Sequence, residues 1–150
     1  MNKYTEMTKS KYNLSTLKVR AIEHMIDAIE ISDSVNYSSV VSENYDLFKI
    51  NSESQAMKLI RENIGEVLEA LEYINDYGGL TDLLDSLFDK KLNVKGLASE
   101  VFYTVANVLY TDLLFDYQNI NDINIYNEVV EEDELTNDFV EFLEAIVLTH

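Results

Sequence analysis

The chain is predicted to be all-α, a compact bundle of about five helices around a central apolar helix. Three observations carry that expectation. Proline is absent and glycine occurs only four times in 150 residues, so the punctuation that hairpins and sandwiches depend on is missing. Apolar residues recur at three- and four-residue steps over long windows, which places them on one face of a 3.6-residue helix. Good N-cap residues, Ser15, Ser52 and Asn93, stand immediately before those windows, where a side-chain oxygen can accept from a free first-turn N–H.

Residues 1–12 are polar and hold Lys3, Lys9 and Lys11; they read as a flexible basic arm, with 13–150 as a single helical domain. The first long helix is expected over 15–31. Leu14, Leu17, Ala21, Met25, Ala28 and Ile29 share one face, and Glu23, Asp27 and Glu30 the other. Residues 35–50 leave room for a small β-hairpin, because Tyr45, Leu47 and Ile50 suit a short strand and Val35, Val40 and Val41 fit either state.

Ser52 and Gln55 form a capping box, after which Met57, Ile60, Ile64, Val67, Leu68, Leu71 and Ile74 predict one helix to about Tyr77. Gly78-Gly79 stops it, since glycine enters the left-handed conformation freely. Gly65, inside the helix, costs about 1 kcal/mol relative to alanine and implies a kink or a close packing contact. Thr81 is the expected N-cap of a short helix through Phe88.

Asn93 caps a helix expected to reach Tyr117. It is apolar on two sides: Val94, Leu97, Val101, Val105, Val108 and Leu109 form one stripe, and Tyr103, Ala106, Tyr110, Leu114 and Tyr117 another. A narrow polar strip of Glu100, Thr104, Asn107 and Thr111 separates them. A helix apolar nearly all round is a buried one; the alternative is a homodimer through the Tyr103, Tyr110 and Tyr117 side. Residues 118–127, rich in Asn between isoleucines, read as a loop with room for a short strand at 123–126. A last helix, from Glu132 or Thr136, turns Leu135, Phe139, Leu143, Ile146 and Val147 inward.

Charge is placed unevenly on this frame. The formal net charge is −17, and from Gly96 to His150 there is no lysine or arginine at all, against twelve acids. Like charges held close destabilise the compact state, so salt must screen them or a basic partner must neutralise them. Two rows share a spacing of four, three and three residues: Glu62, Glu66, Glu69 and Glu72, and Glu134, Asp138, Glu141 and Glu144. At about 1.5 Å per residue the steps are roughly 4.5–6 Å, near the phosphate spacing of a nucleic acid strand. The helical period itself imposes part of that rhythm; the missing bases argue further.

Several chemistries are excluded. With no cysteine there is no thiol nucleophile and no thiolate metal site, and a cytoplasmic location is expected. The only histidines are His24, expected as an exposed or capping imidazole, and His150, so a Glu-x-x-His carboxylate bundle cannot be assembled. No EF-hand spacing, Walker motif, dinucleotide fingerprint or nucleophile elbow is present. No cofactor, no resident metal and no catalysis are expected. No window is apolar enough to span a bilayer, and anionic lipid and nucleic acid would repel this chain.

The expected function is therefore that of a non-enzymatic interaction protein, an inhibitor whose acids occupy the nucleic-acid-binding surface of a basic partner. The partner-binding residues would be Asp122, Glu128, Glu131, Glu132, Asp133, Glu134, Asp138, Glu141 and Glu144, with Tyr117 and Tyr126 beside them to receive arginine, and Glu62, Glu66, Glu69 and Glu72 as a secondary row. In composition alone the chain resembles the small acidic proteins, mimics of DNA, that phages use against host restriction or CRISPR nucleases. That resemblance implies a bacterial cytoplasm. The alternative function is a self-associating structural or adaptor module whose acids serve solubility.

Overall fold

The computed structural model describes residues 2–37, 48–124 and 132–150, and over them the protein is all-α, with seven helices and no strand. They are α1 (Thr5–Thr8), α2 (Thr16–Ser32), α3 (Glu53–Glu62), α4 (Ile64–Asp76), α5 (Leu80–Phe88), α6 (Val94–Asn121) and α7 (Glu132–Leu148). The expected hairpin at 35–50 falls largely, and the strand at 123–126 partly, outside the described residues. The chain divides into two compact units: Met1–Tyr45 with Asn107–His150 (unit 1), and Asp46–Ala106 (unit 2). Helix α6 runs through the division, giving residues 94–106 to unit 2 and 107–121 to unit 1.

Unit 1 is built on α7, which packs against both α2 and α1. Ser15 caps α2 through its hydroxyl, which accepts from the Lys18 N–H at 3.3 Å. The expected inner face of α2 is buried, and Ile22 joins it. From α7 come Leu135, Phe139, Phe142, Leu143 and Ile146, all buried. Around them an aromatic cluster closes edge to face, with Tyr4 on Phe142 at 5.4 Å and Tyr117 on Phe139 at 5.2 Å between centroids, a preferred geometry for ring quadrupoles.

The opening segment is part of this core and not an arm. Tyr4 is 1% exposed, and contacts distant in sequence hold the segment. The Asn2 side chain donates to the Glu141 carbonyl at 2.7 Å, the Tyr4 hydroxyl to Asp138, and the Tyr12 hydroxyl to Asp116 at 2.8 Å. A largely polar stretch is thereby fixed by two tyrosine hydroxyls, an asparagine amide and the buried ring of Tyr4.

Unit 2 holds α3, α4, α5 and the first part of α6. Its buried side chains include Phe48, Ile50, Ala56, Val67, Ala70, Ala98, Val101 and Phe102, with Phe48 on Phe102 at 4.7 Å. The single helix expected from Ser52 to Tyr77 is two helices. They part at Asn63 (φ −123°, ψ 35°), whose amide side chain donates to the Leu59 carbonyl at 2.9 Å, the local competition that disfavours Asn inside helices. Gly65 is not the cause through close packing, since a Cβ there would meet open space.

The capping box forms with one partner shifted. Ser52 Oγ accepts from the Gln55 N–H at 3.1 Å, while Gln55 Oε1 accepts from Asn51 at 2.7 Å. Helix α4 ends in a Schellman motif: the Gly78 N–H donates to Asn75 O, the Gly79 N–H to Ile74 O, and Gly78 has φ +78°. Lys90 after α5 (φ +59°) and Asp122 after α6 (φ +52°) close their helices the same way without glycine. Thr81 lies inside α5, whose N-cap is Gly79. Asn93 caps α6 as expected, its Oδ1 accepting from the Gly96 N–H at 2.8 Å. That helix runs four residues beyond Tyr117 and ends at Asn121, whose side-chain amide donates back to the Tyr117 carbonyl.

Candidate functional surface

Along α7 the burial pattern divides the expected acidic row. Glu134, Glu141 and Glu144 are exposed on the side away from Phe139 and Leu143, and none makes an ion pair among the described residues. Asp138 faces elsewhere. Its side chain is 25% exposed and bonded to Lys3 Nζ at 2.7 Å, and it accepts from the hydroxyls of Tyr4 and Tyr117, the latter at 2.8 Å. It is the polar centre of the aromatic cluster, so it leaves the partner-binding set. Without it the row steps by seven and three residues, roughly 10.5 and 4.5 Å along the axis, and the match to a phosphate strand is lost.

Electrostatics around Asp138 agree with its geometry. Burial pushes its carboxyl up, but the hydrogen bonds from Lys3, Tyr4 and Tyr117 outweigh this and hold it below the ordinary value. The Tyr117 hydroxyl is pushed well above its ordinary value by burial and then by the bond to Asp138. Tyr4 moves up for the same two reasons in the same order, and Tyr12 moves up through burial and Asp116.

Tyr117 is 1% exposed and also leaves the partner-binding set; its ring is core and its hydroxyl is spent on Asp138. Asp122 is exposed at the end of α6. Glu132 and Asp133 lie in the first turn of α7. Tyr126, Glu128 and Glu131 lie outside the described residues. In unit 2 the secondary row is broken between helices: Glu62 ends α3, 4.0 Å from Lys58, while Glu66, half-buried, and exposed Glu69 and Glu72 belong to α4.

The face expected to support a homodimer is occupied. Tyr110 is 7% exposed, its hydroxyl donates to the Val35 carbonyl at 2.6 Å, and its ring lies against Tyr37 and Phe139; with Tyr117 it is interior to unit 1. His24 is half-buried, with Nδ1 3.0 Å from the Tyr37 hydroxyl. Among the described residues no cluster of His, Asp or Glu is arranged to hold a metal ion, and no helix is long and apolar enough to cross a membrane.

Sequence reasoning missed the role of Asp138 and the contacts that anchor residues 2–12. The trace of them in the sequence is two tyrosines, Tyr4 and Tyr12, in a largely polar opening. No family model, curated protein or solved structure matches this chain, so the functional reading rests on its own geometry.

Proposed function

We propose that the protein is a non-enzymatic inhibitor that covers the nucleic-acid-binding surface of a basic partner with the outer face of α7. One observation supports this above the others: Glu134, Glu141 and Glu144 are exposed on a helix anchored by its opposite face, in a 55-residue stretch without a single base to neutralise them. Exposed acids on a surface helix improve solubility in any protein. Solubility does not call for the exclusion of every lysine and arginine, however, and Glu–Lys pairs at i,i+4 would have stabilised the helix. The attachment of α7 through the buried Phe139, Phe142 and Leu143 lets the carboxylates meet a partner without the cost of ordering their backbone.

The test is a triple variant, Glu134→Lys, Glu141→Lys and Glu144→Lys. All three positions are exposed, so the fold is expected to persist by circular dichroism. A basic, nucleic-acid-binding protein captured from a bacterial lysate on the immobilised chain should be displaced by added DNA or RNA and by salt, and should not be retained by the variant. Retention by the variant, or indifference to nucleic acid, would remove the proposal.

A further inference from the structure

Helix α5 packs against α4 yet buries none of its own residues, and the face it turns to its neighbours lines a cleft within unit 2. The cleft has a volume of about 370 Å³, in the range of pockets that hold small ligands. Ile74 of α4, Leu83 of α5 and Leu92 of the turn that follows, all half-buried, give it an apolar lining. Helices α5 and α6 each add a carboxylate one turn from a hydroxyl: Asp82 with Ser86, and Glu100 with Thr104. The Thr104 hydroxyl donates to the Glu100 carbonyl at 2.9 Å. Lys91 completes the lining, placed there by the close of α5, where its N–H and that of Leu92 both donate to the Ser86 carbonyl at 3.0 Å.

Asp82, Lys91 and Glu100 are exposed, and none makes an ion pair among the described residues although all three line one cleft. Two carboxylates and one ammonium around an apolar lining suit a ligand that carries both charges on an apolar body. We propose that this cleft binds a small zwitterion, an amino acid or dipeptide with an apolar side chain. Its ammonium would bond to the carboxylates of Asp82 and Glu100 and its carboxylate to Lys91, as charge-assisted hydrogen bonds. Its side chain would cover Ile74, Leu83 and Leu92. A phosphate-bearing ligand meets two carboxylates for one ammonium and is repelled, and a bare hydrocarbon leaves the charged groups without partners as it displaces their water. The cleft belongs to unit 2 and uses none of the α7 carboxylates, so it stands or falls independently of the inhibitor reading.

The test is an amide chemical-shift titration of the isotope-labelled full chain with L-leucine, L-phenylalanine and leucyl-leucine. Saturable shifts are expected at Leu83, Ser86, Lys91, Leu92 and Thr104, and the two amino acids against the dipeptide show which length fits. N-acetylation or methyl esterification of the ligand should each weaken binding about tenfold or more through loss of a charge-assisted contact. Lys91→Glu and Asp82→Ala, both at exposed positions, should do the same at an unchanged melting temperature, while Glu141→Lys should leave binding within about twofold. No saturable shift at about 10 mM of any probe, or shifts confined to residues outside the cleft, would overturn the proposal. Equal binding of the acetylated and esterified ligands would reduce the interaction to apolar contact and overturn it as well, as would undiminished binding by both cleft variants.

Discussion

Unit 1 and unit 2 are both helical, but they use their apolar residues differently. In unit 1, α7 alone places Phe139, Phe142, Leu143, Ala145 and Ile146 at 1% exposure or less, and buried hydroxyls find charged or carbonyl acceptors. In unit 2, α5 has no buried residue at all, and Phe88 and Leu84 are 81% and 42% exposed. The lesson is that amphipathic sequence does not guarantee burial. The same three- and four-residue period that seats α7 in a core leaves the leucines Leu80, Leu83 and Leu87 of α5 only half-buried.

The largest expected effect separates the two directly. Phe139→Ala should cost about 3–5 kcal/mol, the usual range for emptying a packed aromatic site, whereas Phe88→Ala should lie within about 0.5 kcal/mol of wild type. Urea denaturation of the two variants measures both, and similar losses would erase the distinction.

An intermediate effect should appear with pH, and it belongs to unit 1. Tyr4, Tyr12 and Tyr117 have folded-state values above the ordinary value of about 10, as does Lys3 above its own, held by the Asp138 hydrogen bond. Raised values favour the protonated form in the folded state. Their contribution is therefore complete below about pH 10 and is lost as pH rises towards the folded values. Asp138 works in the opposite sense: its lowered value contributes above its unfolded value of about 3.9, and the contribution is lost as pH falls through the folded one. Urea midpoints should fall between pH 9 and 11, and the fall should be shallower in Tyr117→Phe, which has one fewer raised hydroxyl.

The smallest effect concerns the helix ends. Lys90 in unit 2 and Asp122 in unit 1 both take the left-handed C′ position. Asp tolerates that conformation better than Lys, so Lys90→Gly should stabilise by about 1 kcal/mol and Asp122→Gly by less. Thermal melts would order them; the reverse order would place the strain elsewhere.

Local rules made much of this structure legible. The Ser15 and Asn93 caps, the apolar face of α2, the glycine stop after α4 and the inward face of α7 all follow from contacts within a few residues. What escaped were features decided by remote neighbours or by a local competitor. Asp138 stands at a step of an acidic row, and it is the hydroxyls of Tyr4 and Tyr117 with the Lys3 ammonium, remote in sequence, that draw it into the fold. Tyr110 and Tyr117 were placed on the correct stripe, but the sequence could not say whether that stripe met its own core or a second molecule. Asn63 broke a helix whose suspicious residue was Gly65, because a side chain bonding Leu59 acts where a missing side chain does not.

The bond between Tyr4 and Asp138 joins residues 134 apart, and this gives it a meaning in time as well as in space. At a synthesis rate of about 5–20 residues per second, the first tyrosine waits roughly 7–27 s for its acceptor to be made. During that interval the aromatic rings of the opening segment and of α6 have no α7 to close on them. Completion of unit 1 thus waits for the synthesis of α7, and a nascent chain stalled before residue 138 carries an open aromatic surface for chaperones to hold.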